Sequence, residues 1–106
     1  MKLDKNLANL SVLYVEDDAT VNAIVTNILK TLKIKIVSVK DGIEGLEEFQ
    51  KNHYDLIISD INMPNMDGLE MTKLIREINP KIPIILVSGN SDYATFLKSI
   101  EYGVNG

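Results

Sequence analysis

Two apolar runs in the 106-residue sequence stop on acids: Leu10-Ser11-Val12-Leu13-Tyr14-Val15 on Glu16-Asp17, and Leu56-Ile57-Ile58-Ser59 on Asp60. Carboxylates brought together repel one another at neutral pH. Three in one place call for a hard cation, and Mg²⁺, held by one or two carboxylates with waters and phosphate oxygens, is the usual occupant. Asp60 ends a run and opens a loop, where a carboxylate can attack phosphorus in line as a nucleophile. Glu16, Asp17 and Asp60 would ligate the metal, and the backbone carbonyl of Asn62 would add a ligand from the loop. A further run, Ile84-Ile85-Leu86-Val87, stops on Ser88-Gly89. There Ser88 can donate its hydroxyl to a phosphoryl oxygen, with Gly89 leaving room. Taken singly, an acid at a strand end is more often a cap or loop residue, and Asp18 and Asp67 are read that way. The coincidence of the strand-end positions favours a site.

These residues converge only if the runs are neighbouring strands. Apolar β-type runs of this length read as central strands of a parallel sheet, and ligands in such sheets bind outside the carboxyl ends of the strands. Between the runs, Val21, Ile24, Val25, Ile28, Leu29 and Leu32 recur at helical spacing, with Asp18 or Thr20 as cap. Ile34, Ile36, Val37 and Val39 form a short strand, and Ile43, Leu46 and Phe49 mark a second helix capped by Asp41. After a loop rich in turn formers, 62–68, a third helix carries Leu69, Leu74, Ile75 and Ile78, and a last one spans roughly 92–102. The order βαβαβαβα selects a doubly wound α/β fold with a parallel sheet. Periodicity alone leaves strand order open. Bringing Glu16, Asp17 and Asp60 together requires the first and third strands to be adjacent, the flavodoxin-like order 2-1-3-4.

Composition narrows the function classes. The hydrophobic content of 45% with 25% charged residues is that of one ordinary globular domain, expected over residues 1–106. The absence of cysteine excludes disulfide and thiolate chemistry and suits a cytoplasmic protein. No apolar run has the length of a membrane span, and the first residues lack the apolar centre of a signal peptide. A net charge of -4 argues against direct contact with nucleic acid. There is no Gly-rich phosphate cradle. His53, the single histidine, is read as a surface or helix-end residue rather than a phosphotransfer histidine.

The segments Val12-Leu13-Tyr14-Val15-Glu16-Asp17-Asp18, Asp55 to Gly68 with its Met63-Pro64-Asn65-Met66-Asp67-Gly68 loop, and Pro83 to Gly89 resemble the receiver domain of two-component response regulators. The resemblance runs from about Leu10 to Gly106. It implies that Asp60 is the phosphoacceptor, that Glu16 and Asp17 belong to a Mg²⁺-binding acidic pocket, that Asn62 lends its carbonyl, and that Ser88 reports phosphorylation. It further implies a phosphohistidine donor on a sensor histidine kinase or phosphotransfer protein, and a regulator rather than an enzyme. Asn62 and Asn90 are expected to line access to the phosphoryl group. In this family a switch aromatic, a lysine, a fifth strand and a fifth helix follow the position of Gly106, so the chain is expected to be C-terminally incomplete. Lys81, Lys98, Tyr93 and Tyr102 do not fill the missing roles. The fourth strand is then expected to be a bare edge, either shared with a second copy there or on the fourth-helix face, or covered by the rest of a longer protein, such as a C-terminal output domain.

Two other readings fit less well. Glu16-Asp17-Asp18-Ala19-Thr20 distantly resembles the nucleophile motif of haloacid-dehalogenase-like phosphatases, but Glu16 would occupy the nucleophile's place. A receiver-like binding module without phosphotransfer would be expected to have lost acids that are retained here.

Overall fold

The computed structural model describes residues 9–88. Their elements alternate: β1 (Ser11–Val15), α1 (Ala19–Thr31), β2 (Lys35–Val39), α2 (Gly42–Lys51), β3 (Leu56–Asp60), α3 (Gly68–Ile78) and β4 (Ile84–Val87). The strands form one parallel sheet in the order β2-β1-β3-β4, as expected. The expected last helix, with Tyr93, Lys98 and Tyr102, lies outside the described residues, as do Gly89 and Asn90 before it.

Alternation along β1 and β3 divides the core into two layers, because successive side chains of a strand point to opposite faces. Val12, Tyr14 and Ile58 pack with Val25 and Leu29 of α1 on one face, whereas Leu13, Val15 and Ile57 pack with Met71 and Ile75 of α3 on the other. Burial on both faces explains why these runs are apolar throughout.

Each described helix starts on an aspartate whose carboxylate accepts amide hydrogens of the first turn: Asp18 for α1, Asp41 for α2 and Asp67 for α3. The end of α1 has no glycine. Lys33 takes a left-handed φ of 63°, and the amides of Lys33 and Ile34 bond back to the carbonyls of Lys30 and Leu29 at 2.9 and 3.1 Å, satisfying the last turn. The inward faces of α2 and α3 differ from the apolar pattern. Ile43, Leu69 and Ile78 are exposed, while Gly45 is buried and a Cβ there would meet the Met71 sulfur at 2.6 Å. Helix α2 thus approaches β1 and α3 through a glycine, and Met71, fully buried, fills the space between.

Candidate functional site

The β1–β3 register pairs Val15 with Ser59, so one step further the pairing sets Glu16 beside Asp60 at the carboxyl ends of both strands. Ligand oxygens of Glu16, Asp17 and Asp60 all lie within 4.8 Å of one another. Glu16 is buried, Asp17 exposed and Asp60 half-buried, so the cluster grades from core to solvent. One Glu16 oxygen accepts the Asp18 amide at 3.0 Å, and the Glu16 backbone is tied to β2 and α1 through Val39 and the Asn22 side chain.

Asp60 is oriented from the loop that follows it. Its Oδ1 accepts the Ile61 amide at 2.8 Å, and the Asn62 amide also bonds to its carboxylate. Burial raises the Asp60 pKa above the ordinary carboxylate value, and the nearby Asp17 charge pushes the same way, against those two amides. The loop folds back tightly. The Gly68 amide bonds to the Ile61 carbonyl at 2.8 Å, and a Cβ on Gly68 would collide with the backbone carbonyl oxygen of Asp60.

Asn62 is exposed on this loop beside the Asp60 carboxylate. Ser88 is exposed one residue past β4, and Val87, its chain neighbour, pairs with Asp60 in the sheet. Asp18 and Asp67 serve as caps, and His53 is exposed, as expected of each. On the β2 side of the acids a cleft of about 360 Å³ opens between Glu16, Asp17, Asn22, Ser38 and Lys40. Asn22 was not singled out from the sequence; an asparagine on an amphipathic helix carries no signal of what it reaches.

The donor set fits a hard divalent cation: all oxygen, up to three negative charges, and partly withdrawn from water.

The sequence matches the response regulator receiver domain family over residues 12–106. The chain belongs to that family. Sensor protein EvgS of Escherichia coli strain K12 is 35% identical over 96 residues, which cover 91% of this chain and 8% of that protein. Transcription factor SKN7 of Chaetomium thermophilum is 38% identical over 96 residues, covering 89% of this chain and 12% of that protein. The receiver therefore corresponds to a small part of these curated relatives. The chemotaxis response regulator CheY4 of Vibrio cholerae superposes with a TM-score of 0.72 at 29% identity, covering 92% of this chain and 82% of that one. Receiver domains of two-component systems act as phosphoacceptors, pair with sensor histidine kinases and bind Mg²⁺ at an acidic site, and an acidic cluster is present in this one. No described helix of the receiver is long and apolar enough to cross a membrane.

Proposed function

We propose that this receiver takes a phosphoryl group onto Asp60 from a phosphohistidine of a sensor histidine kinase or phosphotransfer protein, with Mg²⁺ held by Glu16, Asp17, Asp60 and the Asn62 carbonyl. The observation that carries this reading is the convergence of Glu16, Asp17 and Asp60 within 4.8 Å where β1 and β3 end. A carboxylate oxygen of Asp60 bonds to phosphorus as the P–N bond breaks, and the electron pair leaves on the imidazole nitrogen. Hydrolysis of the acyl phosphate later returns the carboxylate and inorganic phosphate. When bound, the divalent ion supplies charge neutralisation for the phosphoryl oxygens. The chain supplies orientation: the Ile61 and Asn62 amides aim the Asp60 carboxylate, and the turn at Gly68 keeps the loop close behind it. The role is that of a cytoplasmic regulator whose chemistry is confined to its own aspartate.

Ser88 is the proposed sensor of the modified state. Its hydroxyl can donate to a phosphoryl oxygen but gains no comparable partner from an unmodified, metal-tied carboxylate, and only such a differential contact shifts a two-state equilibrium. Incubation with Mg²⁺ and a small acyl phosphate donor, followed by intact-mass measurement, should add one phosphoryl group to wild type and none to Asp60→Asn. Undiminished labelling of the variant would overturn the assignment. Ser88→Ala should still be labelled, with smaller accompanying amide shift changes than wild type.

A further inference from the structure

Three aspartates cap the described helices, and one of them does more than cap. Asp18 and Asp67 are exposed and their carboxylates accept amides of their own helices. Asp41 is buried, with 8% exposure. Its Oδ1 accepts the Glu44 amide at 2.9 Å, which completes the cap, and its Oδ2 accepts the side-chain amide of Asn65 at 2.8 Å. Asn65 belongs to the loop between β3 and α3, at a left-handed φ of 69° that asparagine tolerates better than most residues. Next to it, the Met66 carbonyl accepts the Gly42 amide at 2.9 Å, and a Cβ on Gly42 would stand 2.6 Å from that same oxygen. The two loops thus meet backbone to backbone, beside a hydrogen bond whose acceptor is a carboxylate. The Glu44 amide and then the Asn65 side chain hold the Asp41 carboxyl below its ordinary pKa, so the contact is charge-assisted at neutral pH.

The β3–α3 loop carries Asn62, and its ends are already fixed. Ile61 donates to Val87 and to the Asp60 carboxylate, and Gly68 donates to Ile61. Its middle is held from the β2–α2 turn through Asp41 and Gly42. We infer that Asp41 and Asn65 are positioning residues for the metal site, a clamp between the β2–α2 turn and the β3–α3 loop that sets where the Asn62 carbonyl stands relative to Asp60. This inference rests on the proposed metal site. Residues one shell out from a metal act by holding ligands in place, and their loss typically weakens metal binding by about 10- to 100-fold.

The test is a Mg²⁺ titration of the 106-residue chain followed by amide chemical shifts, with urea unfolding alongside. Asn65→Gly keeps the backbone region open while removing the amide, and should weaken Mg²⁺ binding by about tenfold. Asn65→Asp sets a second carboxylate against Asp41 and should weaken it at least as much. The double variant Asp41→Asn/Asn65→Asp exchanges donor and acceptor while keeping an asparagine cap on α2, and should recover affinity to within about twofold of wild type. In metal-free protein, exchange of the Gly42 amide should be faster in Asn65→Gly and slow again in the double variant. Asp17→Asn separates the two levels of the reading. If it leaves Mg²⁺ binding intact, the metal site itself is wrong and the clamp's role falls with it. If Asp17→Asn weakens binding and Asn65→Gly only lowers stability, the clamp alone is wrong. A double variant that stays as weak as Asn65→Asp would also overturn the clamp.

Discussion

The two ends of the β1–β3 pair treat carboxylates in opposite ways. At the carboxyl ends, Glu16, Asp17 and Asp60 crowd within 4.8 Å, and burial followed by the Asp17 charge raises the Asp60 pKa. At the amino ends, Asp55 meets donors. Its Oδ2 accepts the Ser11 amide at 2.9 Å, its own amide donates to the Ser11 carbonyl at 2.7 Å, and His53 Nε2 lies 3.2 Å from its Oδ1. The Ser11 amide and then His53 hold the Asp55 carboxyl below its ordinary range. The same residue type therefore stabilises the fold at one end of the strands and strains it at the other. Gathering like charge in this way is the arrangement that a bound divalent cation would relieve.

The largest expected effect would break this contrast most directly. Asp17→Asn should weaken Mg²⁺ binding by about a hundredfold, whereas Asp18→Asn, which changes a cap, should alter it by no more than about threefold. Amide shift titrations would read both, and equal affinities would count against the ligand assignment. Next in size, Mg²⁺ at about a hundred times its dissociation constant should stabilise wild type against urea by about 2.7 kcal/mol. In Asp17→Asn the same concentration should add little.

Asp55→Ala should cost about 1.5 kcal/mol at neutral pH, as expected for a hydrogen bond to a charged acceptor. The folded pKa of Asp55 is depressed, so its contribution is complete above the unfolded value of about 3.9 and is lost as pH falls through the folded value. Urea unfolding of both proteins should therefore show the gap closing in strong acid, and a gap unchanged down to the lowest pH at which both fold would contradict the comparison. Asp60→Asn should have the opposite sign. Like charges about 4 Å apart cost roughly 1 kcal/mol even in water, so the metal-free variant should gain about that much. Because the Asp60 pKa is raised, the penalty is absent below the unfolded value and complete above the folded one. The advantage of the variant should grow as pH rises towards neutral, and Mg²⁺ should erase it.

Much of the chemistry was legible because it sits where local signals are strongest. The apolar runs of β1 and β3 and the acids that end them are contiguous in sequence, and the caps Asp18, Asp41 and Asp67 stand next to the helices they begin. Helix faces were less legible. Periodicity points Ile43, Leu69 and Ile78 inward, yet they are exposed, because the buried stripe is centred where the helix meets the sheet, and on α2 that line runs through Gly42 and Gly45.

By itself the sequence determined which segments are strands, where helices begin, and that acids stand at strand ends, since these follow from side-chain sterics and short-range hydrogen bonds. Strand neighbours were reached only by asking what three acids would need. Tertiary structure alone decided the rest: that Gly45 is a contact surface, that Asp55 closes the start of β1, and that the second oxygen of Asp41 is given to Asn65. Each depends on chain segments distant in sequence meeting at van der Waals or hydrogen-bond range. No property of a single residue or its near neighbours encodes which partner will arrive there.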